Sequence, residues 1–253
     1  MSDSKNNTAW EQLFAKHNIV ENVLSKGHYI ISSSDINKFR EARLMTKFDH
    51  ESQLPRLFSK NNLSILPISR GSYIISTFEA FKQFDSEEIP VTKIDFPYFL
   101  ESLNYKEINS EATAINCAFV SGMLADFISD IDLNPTVSGR MSSQSFKFNI
   151  NCSNTILNIS VENSQIEIDG GYESTHALNL IEAKNYISKD FLIRQLYYPF
   201  RLWSSRITKK IRNIFLTYTN GIFHFREYKF TDVNHYNSLR LVNQKKYIFK
   251  EAL

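Results

Sequence analysis

The sequence predicts an α/β protein built around one central mixed β-sheet flanked by helices. Three successive patterns predict this class: a largely buried helix at residues 111–127, an antiparallel series of strands at residues 145–169, and a strand at residues 178–183 that precedes a helix. The 253 residues are 42% hydrophobic and 22% charged, as in an ordinary globular chain. This length predicts one large domain or two small ones.

The first ninety residues predict a unit of their own. Its expected elements are a helix at residues 8–26, a strand at 29–31, a helix that continues to residue 43, a short helix near 52–60, and strands at 63–68 and 72–76. Ser69, Arg70 and Gly71 separate the last two strands and predict a β-hairpin. Helices followed by a hairpin are typical of a winged-helix-like domain, which we place at residues 1–90.

A second domain is predicted at residues 91–253, because residues 78–95 are acidic and lack a regular period. Its strands are expected at residues 145–150, 156–161, 165–169 and 178–183, and at 214–218, 222–230 and 247–249 near the C-terminus. Asn220 and Gly221 predict a tight hairpin turn. Residues 190–214 predict a helix that is interrupted at Pro199.

Composition excludes several classes of protein. The 29 basic and 27 acidic residues give a net charge of +2, which excludes a polybasic coat protein. The longest apolar stretch, residues 112–128, contains Asn116, Ser121 and Asp126, so we expect no membrane span. The polar start has no apolar signal segment, and we expect a cytoplasmic protein. Two cysteines without a CxxC motif indicate neither a disulfide framework nor a zinc site.

One constellation of charged residues indicates chemistry. Asp169 follows an apolar strand, and Glu182, Ala183 and Lys184 end the next one. Side chains of a strand alternate between its faces, so Glu182 and Lys184 share a face. If Asp169 ends the neighbouring strand, Asp169, Glu182 and the Ala183 carbonyl can hold a hard cation such as Mg²⁺. Such a site fits phosphodiester hydrolysis, with Lys184 orienting or helping to deprotonate the attacking water.

These residues resemble the PD-(D/E)XK nuclease superfamily, and in particular type II restriction endonucleases. The resemblance covers residues 166–173, 180–185 and 191–203, with residues 43–49 and 65–71 similar to a DNA-binding region of some such enzymes. It implies a restriction-endonuclease-like core and a Mg²⁺-dependent enzyme that cuts double-stranded DNA at a short sequence and leaves 5′-phosphate ends.

Carried over by motif, Asp169 and Glu182 would be metal ligands and Lys184 the catalytic lysine. Ile168 stands where the motif has proline. The family sometimes uses a further acidic residue, for which Glu111, Glu162 and Glu173 all remain candidates. Gln195 is a second possible accessory residue.

Basic residues near both parts of the motif are candidates for DNA contacts. Arginines can read guanine edges and lysines can position phosphates. The candidates are Arg40, Arg43, Lys47 and Arg70 in the first domain, and Arg201, Arg206 and Lys209 after the motif.

A palindromic site would be cut most simply by a homodimer, since the twofold symmetry of the protein would mirror that of the DNA. The resemblance also implies a cognate DNA methyltransferase as a functional partner. Two alternatives stay open: a non-catalytic winged-helix DNA-binding regulator, and a repair or junction-resolving nuclease of the same superfamily.

Overall fold

The computed structural model describes residues 4–85, 87–153 and 155–250 of the 253-residue chain. The two predicted domains extend to residues 1–3 and 251–253, which lie outside the described residues. No helix in the described part of the chain is long and apolar enough to cross a membrane.

The chain begins with two helices, α1 (Lys5–His17) and α2 (Ile19–Lys26), where the sequence predicted one. Asn18 separates them because it adopts a left-handed conformation with φ of 48°, and its N–H donates to the Phe14 carbonyl. Asparagine tolerates this conformation better than most residues do. The prediction of one unbroken helix at residues 8–26 is therefore wrong at this position.

The helix predicted to continue to residue 43 is also divided. Strand β1 (Tyr29–Ser32) leads into α3 (Ser33–Asn37), and α4 (Ala42–Met45) begins separately. The Asn37 side-chain oxygen accepts a 2.7 Å hydrogen bond from the Ala42 N–H. This bond satisfies one of the free amides at the start of α4. A 3₁₀ turn (Glu51–Gln53) and helix α5 (Arg56–Lys60) follow.

A small antiparallel sheet joins the two halves of the chain. Strands β2 (Ser64–Pro67) and β3 (Ser72–Ser76) form the predicted hairpin, and β1 pairs with the other side of β3. Ile65 and Ile75 pack on the N-terminal helices, whereas Leu66 and Ile74 pack on the C-terminal elements. Because alternate residues of a strand face opposite sides, this small sheet lies between two cores.

The remaining elements follow in one series. They are β4 (Phe81–Gln83), β5 (Val91–Ile94), α6 (Glu111–Val120), α7 (Met123–Ile128), β6 (Asn134–Ser142), β7 (Phe146–Cys152), β8 (Thr155–Val161), β9 (Gln165–Glu173), β10 (Ala177–Lys184), β11 (Asp190–Leu192), α8 (Arg194–Ser204), β12 (Lys210–Thr219), β13 (Ile222–Phe230) and β14 (Leu239–Phe249).

Within the described residues, seven of these strands form one large sheet in the order β5-β14-β13-β12-β10-β9-β6. The pairs β10–β12 and β14–β5 are parallel and the others are antiparallel, so the sheet is mixed. A parallel pair needs a crossover connection, and α8 is the helix of the crossover between β10 and β12.

Each face of the large sheet has its own core. Helices α6 and α7 pack on one face, and α8 with the β7–β8 pair packs on the other. Strand β10 lies between these layers and all eight of its residues are buried. The predicted α/β class, with a mixed sheet flanked by helices, is confirmed.

The helix predicted at residues 190–214 is wrong at both ends. Residues 190–192 form β11, which pairs with β4, and residues 210–214 belong to β12. Pro199 does not interrupt α8 but lies inside it and is buried. Lys209 therefore lies in the connection after α8 and not on a continuous basic helix.

Two glycines shape the elements around the motif. Gly122, with φ of 81°, separates α6 from α7 and divides the helix predicted at residues 111–127. Gly171 lets β6 approach β9, because a Cβ atom there would lie 2.8 Å from the Val137 Cβ. Glycine is the residue that permits both a positive φ and such a close backbone approach.

Candidate active site

Strands β9 and β10 separate where the charged motif begins. Their paired register ends with Ile181 opposite Gly170. Beyond that point the Ala183 N–H donates to the Asp169 side chain, Oδ2, at 2.8 Å. The N–H and C=O groups of one strand residue point to the same side. We therefore infer that the Ala183 carbonyl also faces the opening beside Asp169.

Glu182 and Lys184 lie on one face of β10, as predicted. The Lys184 Nζ atom is 2.5 Å from Glu182 Oε1, and each residue is only 7% exposed. Glu111, the first residue of α6, brings its Oε1 atom to 3.7 Å from the same ammonium. A central, fully buried strand normally carries apolar residues, so these two adjacent charges require a specific partner or function.

Burial governs the electrostatics of the cluster. It raises the pKa of the Asp169, Glu182 and Glu111 carboxyls above their ordinary values, and the Lys184 charge offsets part of this rise. Burial alone would lower the pKa of Lys184, but the Glu182, Glu111 and Asp169 carboxylates raise it to a net value above the ordinary one. Lys184 is therefore a permanent ammonium at neutral pH.

Gln195, near the start of α8, links this cluster to the N-terminal part of the chain. Its amide nitrogen donates to Glu182 Oε1 at 2.6 Å and lies 3.3 Å from Asp49 Oδ1. Its amide oxygen is buried and has no hydrogen-bond partner among the described residues. A buried acceptor without a partner usually signals a water, an ion or a ligand.

The segment at residues 47–51 forms one wall of the site. Lys47 is close enough to lower the pKa of Glu111 and Asp169, and Asp49 is close enough to raise the pKa of Glu111 and Glu182. The Leu192 N–H donates to the Asp49 carbonyl at 3.1 Å. Lys47 was predicted to contact DNA. Asp49 was not predicted to be a site residue, although it lies in the stretch at residues 43–49 that carried part of the resemblance.

The donor set fits a magnesium ion. Mg²⁺ is usually held by one or two carboxylates and completes its shell with waters and substrate phosphate. Asp169, Glu182 and the Ala183 carbonyl are donors of this kind, and Gln195, whose amide oxygen has no partner in the described part of the chain, contacts Glu182 through its amide nitrogen. Within the described ranges, no group of three or more His, Cys, Asp or Glu side chains is arranged to hold a metal. A site with two carboxylates is compatible with that finding.

A groove of about 370 Å³ opens beside Asp169. Its walls come from α6, from residues 135–138 of β6 and from residues 169–172 of β9. A space of this size can admit a small molecule or part of a polymer. The Asp169 end of the cluster is therefore reachable from outside, although β10 itself is buried.

The other acidic candidates lie elsewhere. Glu173 is four residues beyond Asp169, about 13 Å along the strand, where its Oε1 accepts a 2.6 Å hydrogen bond from Lys209. Glu162 is exposed after β8, and its N–H donates to the Ile68 carbonyl. Of the three candidates left open by the sequence, Glu111 is the one near Lys184.

The predicted DNA-binding residues of the C-terminal part have different surroundings. Arg201 donates to the Lys147 and Val233 carbonyls, each at 2.9 Å, so its guanidinium is used inside the fold. Arg206 is exposed and stacks over Trp203. Lys209 is paired with Glu173. The structure does not gather these three residues into one stripe on α8.

The predicted DNA-binding residues of the N-terminal part lie on helix α4 and on the connections between elements. Arg40 is half-buried between α3 and α4, and Arg43 is exposed on α4. Arg70 is exposed at the tip of the β2–β3 hairpin. Lys47 is the one of these four whose charge acts on the motif carboxyls.

Comparison with protein-family models gives two matches. Residues 7–75 match a domain of unknown function, DUF6996, and residues 76–248 match a second domain of unknown function, DUF6997. The chain belongs to the DUF6997 family. The DUF6997 match contains Asp169, the Glu182–Lys184 segment and Gln195, whereas Lys47 and Asp49 lie in the DUF6996 match. No curated protein matches the chain, and no solved structure matches it either.

Proposed function

We propose that this DUF6997 protein is a Mg²⁺-dependent endonuclease of the PD-(D/E)XK type, and specifically a type II restriction endonuclease that cuts double-stranded DNA and leaves 5′-phosphate ends. The observation that carries the proposal is the opening between β9 and β10. There, the Asp169 carboxylate accepts a hydrogen bond from the Ala183 N–H, and Glu182 and Lys184 form a buried ion pair. These two contacts support the proposal, because they join the carboxylates and the ammonium of the motif to neighbouring residues of one strand pair.

The carboxylates and the ammonium of the site have different proposed roles. Asp169, Glu182 and the Ala183 carbonyl would hold Mg²⁺. When bound, the ion would lower the pKa of water and polarise the phosphoryl oxygen under attack. Lys184 keeps its proton, because the surrounding carboxylates raise its pKa. Its role is therefore to hold the phosphate and orient the attacking water, and not to remove a proton from that water.

The N-terminal part is proposed to recognise the DNA as a winged-helix-like unit. Its helices, its small sheet and the exposed Arg70 at the hairpin tip support this role, as do the exposed Arg43 and Lys47. Each phosphate contact would make DNA binding weaker as the salt concentration rises. The proposal also includes a homodimer on a palindromic site and a methyltransferase that protects host DNA.

The test is digestion of unmethylated phage DNA by the purified chain, with and without Mg²⁺. Lys184→Ala and Asp169→Ala are the site variants, and Lys250→Ala is the matched control, because it removes an ammonium from the exposed ion pair with Asp95. We expect discrete Mg²⁺-dependent fragments from the wild type and from Lys250→Ala, and intact DNA from both site variants.

Other outcomes would overturn the proposal in defined ways. Intact DNA under all conditions, together with tight binding, would identify a non-catalytic regulator. Mg²⁺-dependent products without discrete bands, or cleavage of branched DNA alone, would identify a repair or junction-resolving nuclease. Equal cleavage by the wild type and Lys184→Ala would show that the motif takes no part in the cleavage reaction.

A further inference from the structure

A hydrogen-bonded chain of three side chains adjoins the motif and is not part of it. The His50 Nε2 atom lies 2.9 Å from the Tyr186 hydroxyl. The His50 Nδ1 atom lies 2.7 Å from the Asp190 carbonyl oxygen and 3.2 Å from its carboxylate, at Oδ1. His50 and Asp190 are 4% and 7% exposed.

The hydrogens can be assigned from these contacts for a neutral imidazole ring. A carbonyl oxygen can only accept, so the His50 Nδ1 atom carries a hydrogen and donates it to Asp190. In the neutral ring the Nε2 atom then accepts, and the Tyr186 hydroxyl donates to it. The remaining lone pairs of the Tyr186 oxygen are directed away from His50 and can only accept hydrogen bonds.

Tyr186 lies at the edge of the candidate active site. It is two residues beyond Lys184 and is 39% exposed. Burial raises the pKa of its hydroxyl to about 12, and the charges of Asp49, Lys184, Glu111 and Glu182 act on it as well. The hydroxyl is hydrogen-bonded to His50, and the neighbouring Asp49 lies 3.3 Å from the Gln195 amide nitrogen that donates to Glu182, so Tyr186 is joined to the wall of the site. Its ring packs edge-on against His50.

We propose that Tyr186 is a further catalytic residue, whose hydroxyl oxygen accepts a hydrogen bond from the attacking water and orients it. This role rests on the proposed function. A phosphate oxygen has no hydrogen to donate, whereas water does, so an oxygen that can only accept selects the water. His50 and Asp190 are positioning residues, because they act through the hydroxyl of Tyr186.

The chain of contacts also makes the site composite. His50 lies in the segment that matches DUF6996, whereas Asp190 and Tyr186 lie in the DUF6997 match. The Glu51 N–H donates to the Asp190 carboxylate at 3.2 Å, which fixes the carboxylate from the N-terminal side. The N-terminal part of the chain thus contributes to the chemistry of the site as well as to recognition.

The experiment compares Tyr186→Phe with the wild type in single-turnover cleavage of a DNA fragment. Tyr186→Phe keeps the ring and removes the hydroxyl. We expect the cleavage rate to fall by about 10²-fold, the effect of losing the orientation of a reacting group. DNA affinity in the absence of divalent ions and the free energy of unfolding should stay unchanged. Tyr98→Phe is the control, because that ring is 96% exposed and packs on Phe99 between β5 and α6.

A second variant tests the positioning residues. His50→Asn keeps a donor towards Asp190 and lacks the acceptor for Tyr186, so its cleavage rate should fall by the same factor. The variant with both substitutions should then cleave no more slowly than either single variant, because each substitution alone already abolishes the same orienting role of the Tyr186 hydroxyl.

Three results would overturn the role of Tyr186. The first is full cleavage by Tyr186→Phe, and the second is a loss explained by weaker DNA binding or unfolding. The third is a double variant whose loss is the product of the two single losses. Because each of these requires an active wild type, they leave the proposed function standing. A wild type that leaves DNA intact would overturn the proposed function and this role together.

Discussion

Two carboxylate–ammonium pairs lie at opposite ends of the β9–β10 pair, and they differ chiefly in exposure. Glu182 and Lys184 are 2.5 Å apart with side chains 8% and 9% exposed. Glu173 and Lys209 are 2.6 Å apart with side chains 33% and 37% exposed. The contact distances are nearly equal, so the chemistry of the two ends is distinguished by burial and by the neighbouring groups.

The surroundings explain why the two pairs differ. The Glu173–Lys209 pair is partly exposed, so water screens its charges and limits its contribution to stability. The buried pair is joined by Asp169, Glu111 and the amide of Gln195. With Asp49 and Lys47 in the wall, carboxylates still outnumber ammonium groups. An excess of buried negative charge is unfavourable unless a cation or protons offset it. Burial thus makes one pair a candidate cation site and leaves the other an ordinary surface ion pair.

The largest effect expected is on catalysis. Glu182→Gln should lower the initial rate of Mg²⁺-dependent DNA cleavage by about 10³-fold, because it removes a ligand of an ion that supplies several kcal/mol of transition-state stabilisation. Glu173→Gln, the same substitution at the exposed pair, should leave the rate unchanged. Equal losses from the two variants would show that burial does not distinguish the two ends.

The next effect is on stability. At a pH above the raised pKa of Glu182, Lys184→Met should lower the free energy of unfolding by about 3 kcal/mol, because it leaves a buried carboxylate without its partner. Lys209→Met should lower it by less than about 1 kcal/mol, the range for exposed ion pairs. Urea denaturation without divalent ions measures both values. A Lys184→Met variant as stable as the wild type would show that Glu182 takes up a proton at little cost when the ammonium is lost.

A third effect should appear in the pH dependence of stability. The pKa of Glu182 is raised on folding, so the folded chain binds more protons than the unfolded chain, and stability falls as the pH rises from about 4.3 through the raised pKa. Mg²⁺ needs the ionised carboxylate and should reverse this trend. The stabilisation by Mg²⁺ should be about 2 kcal/mol larger at about pH 8 than at about pH 6.

Thermal unfolding at the two pH values measures this difference, and Glu182→Gln is the informative comparison because its side chain cannot titrate. In that variant the effect of Mg²⁺ should be small and nearly independent of pH. Glu173→Gln should behave as the wild type does. If Mg²⁺ stabilised the wild type equally at both pH values, this would show that Glu182 is not a ligand of the ion.

Much of the local structure near the motif was predictable because its signals are local. Strand alternation placed Glu182 and Lys184 on one face, and Asn220 and Gly221 indicated the turn between β12 and β13, where both have positive φ. The predicted helix at residues 190–214 was wrong because its apolar spacing suits both α8 and the start of β12. Short apolar segments seldom distinguish the two without their partners.

The composite wall of the site could not be predicted, because it depends on contacts between distant parts of the chain. Asp49 meets Gln195 and His50 meets Asp190 across 146 and 140 positions of sequence. The choice of Glu111 over Glu162 is of the same kind, since it depends on how α6 packs beside β10. One sequence contains the residues of such a contact but no local pattern that pairs them.

The smallest expected effect concerns Glu111, the acidic candidate that lies near Lys184. Glu111 is 38% exposed in its side chain and lies 3.7 Å from Lys184, so it stands at the edge of the buried pair and not inside it. Glu111→Gln should lower the cleavage rate by about 10-fold, as expected for a group that orients the ligands from outside. Glu162→Gln, at an exposed carboxyl of the same type, should leave the rate unchanged when both are assayed at saturating Mg²⁺. If Glu111→Gln also cleaves at the wild-type rate, then Glu182 alone is enough to hold the ammonium of Lys184. In that case the two ends of β9–β10 differ only in how deeply one ion pair is buried.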